Sequence, residues 1–213
     1  MRETRCAIGT APSARIVARA LTAAVLLAAG CTGRTVSTAT SPKETPSVAV
    51  PVGGNRPYVR ACDDSVYGNL GPDWRQGQIT IGPVTFIGLR SVESAKPSRF
   101  VPKSGRSQGQ KVLAVVQSGT TVTVNVSPAS HVALLYDPKT FSAHSVSEGD
   151  SAVTFESCKP GESPFGAQAA SRPTQFNGGF IVDGPMCVRI DVQVAGGPTG
   201  TRSVPFGRGE TCP

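Results

Sequence analysis

The sequence predicts an all-β protein: an antiparallel β-sandwich of about eight or nine short strands, immunoglobulin-like or jelly-roll-like in outline. Three observations predict it. The 213 residues include 25 valines against 8 leucines, and an excess of a β-branched residue over a strong helix former favours pleated backbone. The chain also holds 24 glycines and 18 prolines, a density of turn residues that no helical bundle or coiled coil accommodates. Finally, several stretches alternate apolar and polar residues with a period of two, the mark of a strand with one buried face. A hydrophobic fraction of 38% excludes wholesale disorder.

In chain order, residues 1–30 read as an export signal. Arg2, Arg5, Arg15 and Arg19 form a basic start, and residues 20–29 are an uncharged, mostly apolar run. Ten helical residues cover about 15 Å, half of a bilayer core of about 30 Å, so the run is a signal core and not a membrane span. It ends Leu27-Ala28-Ala29-Gly30-Cys31. This resembles the lipobox of bacterial lipoproteins, in which small residues precede an obligatory cysteine. The resemblance implies a diacylglyceryl thioether on Cys31 and cleavage between Gly30 and Cys31. Two acyl chains give stable anchoring, to the outer face of the cytoplasmic membrane in an exported protein.

Without residues 1–30, the chain keeps 17 basic and 13 acidic residues, so its net charge falls from +7 to +4. This remainder is spread out, with no run of Lys or Arg. It permits attraction to anionic lipids or wall polymers. Nucleic acid is not an expected partner of an exported chain of modest charge.

Residues 31–57 are rich in Thr, Ser and Pro, with Pro42, Pro46, Pro51 and Pro57 as punctuation. They read as a flexible tether. Residues 58–213 are then a single β domain. Strict alternation predicts strands at 121–126, 153–156 and 188–194; a continuous apolar run predicts a central strand at 112–116. Shorter candidates are 78–81, 84–89, 132–136, 180–182 and 202–206. Gly82-Pro83, Ser118-Gly119, Asp137-Pro138, Gly149-Asp150, Asn177-Gly178 and Gly184-Pro185 punctuate them as turns. Residues 95–110 and 159–175 are long loops, suited to crossings between sheets or to function.

Four cysteines remain in the domain: Cys62, Cys158, Cys187 and Cys212. An even number in an exported domain predicts two disulfides, with three pairings open. Strand phase favours Cys158–Cys187, because Cys158 continues the phase of Thr154 and Glu156 while Cys187 shares that of Arg189 and Asp191. Cys62–Cys212 would then join the domain's ends. No Cys-x-x-Cys pair supports a zinc site.

No catalytic, metal or cofactor motif survives inspection. Gly105-Arg106-Ser107-Gln108-Gly109 matches a serine-hydrolase elbow, but it lacks the required preceding strand and following helix. His131 and His144 are the only histidines and would be the general bases of any hydrolase. Copper at these histidines with Met186 and a cysteine lacks the expected ligand spacing. Asp63-Asp64 and Glu148-Gly149-Asp150 lack the dense oxygen ladder of a calcium loop. Gly196-Gly197-Pro198-Thr199-Gly200 lacks the Lys-Ser/Thr ending of a phosphate loop and reads as a hairpin.

Tyr67, Trp74, Tyr136 and Phe141 are candidates for a stacking face, with Tyr67, Trp74 and Arg75 as the expected binding patch. The richness in Val, Ala, Gly and Pro, with Gly178-Gly179-Phe180-Ile181-Val182 before a Cys-led strand, resembles secreted lipoproteins of high-GC Gram-positive bacteria. That resemblance implies an envelope location and no activity. The sequence thus predicts a non-catalytic, lipid-anchored sandwich that binds an envelope protein, peptide or wall polymer. The alternatives are a secreted hydrolase of wall or peptide substrates and a structural spacer.

Overall fold

Twelve strands and two short helices form among residues 57–209 and Cys212, which are the residues that the computed structural model describes. The signal segment, Gly30, Cys31 and the tether up to residue 56 lie outside them. The strands are β1 (Tyr58–Arg60), β2 (Ile79–Ile81), β3 (Val84–Ile87), β4 (Gln110–Lys111), β5 (Leu113–Val116) and β6 (Thr121–Ser127). They continue with β7 (Val132–Leu134), β8 (Ala152–Glu156), β9 (Thr174–Phe176), β10 (Gly179–Val182), β11 (Met186–Val194) and β12 (Thr199–Phe206). The helices are α1 (Leu89–Glu93) and α2 (Ala167–Ala170).

One sheet has the order β1-β8-β6-β11-β12, antiparallel except for the β1–β8 pair. Two smaller sheets, β2-β3-β5-β9 and β4-β10-β7, are nearly continuous with each other. Only Val112 separates β4 from β5, and only Asn177-Gly178 separates β9 from β10. The Val112 N–H donates to Gly178 O across that break at 3.0 Å. These layers bury one core between them. Val122, Val124 and Val126 of β6, with Val188, Ile190 and Val192 of β11, face Phe86, Ala114, Phe176 and Phe180 from the other layer's strands. Period two therefore did what the sequence pattern implied: every second residue left water, each large side chain contributing about 1.5–3 kcal/mol. The fold is an all-β sandwich with two disulfides.

The disulfide pairing differs from the expected one. The bridges are Cys62–Cys158 and Cys187–Cys212, not Cys158–Cys187 and Cys62–Cys212. Strand order is the reason. β6 lies between β8 and β11, and register puts both Phe155 and Val194 level with Val122. Cys158 therefore leaves the sheet at the Val194 end of β11, whereas Cys187 sits at the opposite end. β1 runs parallel to β8 with Arg60 level with Phe155, which carries Cys62 to Cys158 with a Cα–Cα distance of 4.7 Å.

Two local readings also change. The strand expected over 84–89 stops at Ile87 because Gly88 adopts φ +94°, a left-handed conformation suited to glycine. α1 follows, burying Leu89 and Val92. Asn177-Gly178 is not a hairpin turn but the kink between β9 and β10. A side chain at Gly178 would lie 2.2 Å from the Tyr136 ring, and one at Gly179 would lie 2.1 Å from Gln110 O. The kink needs glycine for close approach.

Candidate functional site

The kink opens a surface groove of about 920 Å³. One wall is the chain from Ser107 to Leu113, which enters and passes through β4. The opposite wall is Phe141 to His144, and Asn177 to Gly179 form part of the floor. Ile87, Leu113 and Leu135 give it apolar surface, while Gln108, Lys111 and Ser142 give it polar edges. Phe141 is 44% exposed on the rim. A single backbone bond ties the walls together, from the Ser107 N–H to His144 O at 2.8 Å. Ligand pockets commonly have volumes of about 300–1,000 Å³ with apolar and polar lining.

Two buried polar side chains hold the groove's floor. Arg60, only 2% exposed, reaches from β1 across the end of the core. Its Nη1 donates to Tyr136 O and, at 3.4 Å, to Asn177 O; its Nη2 donates to Asp64 O and, at 3.2 Å, to Asn177 Oδ1. The guanidinium also lies 5.7 Å from the centre of the Phe176 ring. Burial lowers its pKa, and the Asp64 charge partly opposes that. Tyr136, expected as a stacking surface, is instead fully buried. Its hydroxyl donates to Val112 O at 3.0 Å, satisfying a carbonyl at the interruption of the strand. Burial pushes its phenol pKa up.

Ser107 and His144 meet at this groove, but only through their backbones. Ser107 is 6% exposed, and no side-chain hydrogen bond joins it to the imidazole among the described residues. Glu148 does not orient the ring either. Its Oε2 accepts from the His144 N–H at 3.1 Å and its Oε1 from the Ser145 hydroxyl at 2.7 Å. The Ser145 bond, followed by the His144 N–H, lowers its pKa. His131 is elsewhere, exposed, with Nδ1 2.8 Å from Asp183 Oδ2.

The expected aromatic patch is divided. Tyr67 stacks on Phe165 with ring centres 5.9 Å apart, and Arg172 lies 5.9 Å from the Tyr67 ring centre. Trp74 is half-buried and carries Arg75 at 4.6 Å. Among the described residues, no ring or cation contact joins Tyr67 to Trp74 or Arg75. The former pair instead borders a very small cleft beside Cys158 and α2.

The remaining candidates follow local chemistry. Asp64 Oδ2 accepts from the Ala61 N–H at 3.0 Å in a tight turn after β1. Asp150 pairs its backbone with Leu134, and its Oδ2 is buried without a partner. Burial, then the Asp137 charge, raises its pKa. Cys187, adjacent to Met186, is bound in a disulfide. Ala195 to Pro198 turn the β11–β12 hairpin, with the Gly197 N–H donating to Val194 O at 3.0 Å, and Thr199 and Gly200 already pair in β12.

Sequence reasoning named Ser107, Phe141 and His144 separately and did not join them. The groove's walls come from separate segments of the chain, and its Gly, Gln and Ser lining residues carry no motif. The available signal was the glycine pair beside Asn177. The chain matches no protein-family model, no curated protein and no solved structure.

Proposed function

We propose that this is an exported lipoprotein, anchored through Cys31, whose sandwich binds an extended peptide or wall polymer in the groove between residues 107–113 and 141–144. The observation that carries this is the groove itself, with its exposed aromatic rim, apolar floor and polar edges. Its floor is stiffened by Arg60 and Tyr136, and a preformed surface loses less freedom on binding. Phe141 supplies the stacking wall and Ser107 to Lys111 the polar one. The lipid on Cys31 and the tether of residues 31–57 would present this groove to the envelope, with no cofactor and no nucleic acid involved.

The test is a titration of isotope-labelled protein with solubilised wall fragments, read by amide chemical shifts. The reading expects changes concentrated at residues 107–113, 141–144 and 177–179. The substitution Phe141→Ala should weaken binding about tenfold, the value of one aromatic contact of about 1.4 kcal/mol. Shifts clustered at Tyr67, Phe165 and Arg172 would move the site to the other aromatic surface. No shifts from any fragment would favour the spacer role.

One observation favours the hydrolase as a second reading: Ser107 and His144 share the groove. A hydrolase requires the imidazole within about 3 Å of the hydroxyl once substrate is bound. Labelling of Ser107 by a fluorophosphonate, abolished by His144→Ala, would establish it. An unlabelled Ser107 would remove it.

A further inference from the structure

Residues 94–136 contain no Asp or Glu. They contain Lys96, Arg99, Lys103, Arg106 and Lys111, all exposed. None of the five forms an ion pair among the described residues. The other described arginines are engaged. Arg90 and Arg202 share Glu93, Arg189 holds Asp191, and Arg75 and Arg172 lie on aromatic rings. Arg60 is buried in its carbonyl cage, and Arg208 reaches Cys187 Sγ. Lys139 and Lys159 are also exposed without an ion pair or ring contact, so five of the seven such cations among the described residues fall on one stretch of chain, although the domain's net charge is modest.

The end of that stretch, from Ser107 onward, forms one wall of the groove, and Lys103 and Arg106 lie on the segment that leads into it. Lys103 and Arg106 exchange two backbone hydrogen bonds of 3.0 Å, so both sit on one tight turn. The next residue, Ser107, is tied to His144 on the opposite wall, and Lys111 lines the groove itself. Of the carboxylates, Glu148 faces Arg106 and His144, with its oxygens engaged by Ser145 and the His144 N–H.

We infer that the groove's ligand is a linear polyanion, held by Lys111 within the groove and by Lys103 and Arg106 on the turn that leads into its wall. This rests on the groove being the binding site. Cations placed in series match a ligand whose charge repeats along its length better than one with a single charged headgroup. A bilayer surface fits less well. Val101, 50% exposed, is the only exposed large hydrophobic residue on the stretch, whereas membrane docking gains most of its strength from buried apolar area. The apolar floor would take the uncharged units between anionic groups. The three cations would steer the polymer into the groove.

The experiment uses the full chain purified from its own envelope. Fluorescence anisotropy measures its binding to long-chain inorganic polyphosphate and to poly-L-glutamate, separating phosphate from carboxylate recognition. Three ion contacts predict an affinity loss of about 20-fold between about 50 and 200 mM salt. The combined Lys103→Gln, Arg106→Gln and Lys111→Gln variant should bind at least about tenfold more weakly and with a flatter salt dependence. A Lys139→Gln, Lys159→Gln control should bind like the parent chain. Failure of both polymers to bind, parental binding by the triple variant, or binding only to phosphatidylglycerol vesicles would overturn the inference. If wall fragments still shift the groove amides while both polyanions fail, the polyanion assignment falls and the groove remains. If no fragment shifts them either, both fall.

Discussion

Replacing Arg60 by methionine isolates the clasp beneath the groove. Methionine keeps most of the volume and removes the donors, so cavity formation contributes little. The donors serve Tyr136 O, Asn177 O, Asp64 O and Asn177 Oδ1. Hydrogen bonds from a charged donor contribute about 1.5–3 kcal/mol each, and a buried acceptor left alone costs about 1–3 kcal/mol. Two effects offset this: the guanidinium no longer has to be dehydrated, and its Nε, buried without a partner, is removed as well. The expected net loss is about 3 kcal/mol. For a domain of this size that is about 6–12 °C in Tm. Replacement of a whole ion pair by apolar residues can be neutral because both charges leave together. Here no partner charge leaves with the guanidinium, and the Tyr136 carbonyl stays buried without its donor. Thermal and urea unfolding of Arg60→Met and Arg60→Lys measure the effect, with lysine keeping the charge but losing the fork and recovering less than half. An Arg60→Met variant as stable as the parent would refute the claim that this clasp holds the floor.

Other consequences follow from the same geometry. Tyr136→Phe leaves Val112 O without its donor and should cost about 1–2 kcal/mol by urea unfolding. Removing Cys62–Cys158, with a separation of 96 residues, should cost about 5 kcal/mol, against about 3.5 kcal/mol for Cys187–Cys212, with 25, on the loop-entropy relation. Peptide mapping under non-reducing conditions should recover those two pairs, and a Cys158–Cys187 peptide would contradict the fold. The raised Asp150 pKa means that the folded state favours the protonated acid. Its contribution to stability is therefore present below the usual carboxylate pKa and is lost as pH rises through the higher folded value. Asp150→Asn should accordingly raise Tm at pH 7, with the difference closing toward pH 3; a lower Tm at pH 7 would contradict this.

Sequence made legible the strands with one wet face and also the apolar runs that became β5, β7 and β10. Val122, Val124 and Val126 alternate with polar residues, and the burial of β6 alternates with them. β9 was not legible, because Thr174, Gln175 and Phe176 are all buried and show no alternation. Gln175 is tolerated there because its Nε2 donates to Gly68 O at 2.9 Å, a partner more than a hundred residues away. β1 was hidden for a similar reason: its arginine faces inward, satisfied by carbonyls that only the fold assembles. The disulfides depended on strand order, which residue phase does not encode. Phase says which face a cysteine takes; β6 lying between β8 and β11 decides whether two cysteines can meet. The groove was illegible because its shape comes from a kink at Asn177-Gly178 that reads locally as a turn.

The most direct test of the central claim places a photo-crosslinking residue in the full chain at Ser142, on the groove wall, and separately at Thr201, on the β12 edge strand. Each variant is irradiated in its own envelope. The account predicts a covalent adduct with a wall polymer or peptide from position 142 and none from position 201. Equal adducts from both positions, or none from 142, would contradict a groove that binds the ligand.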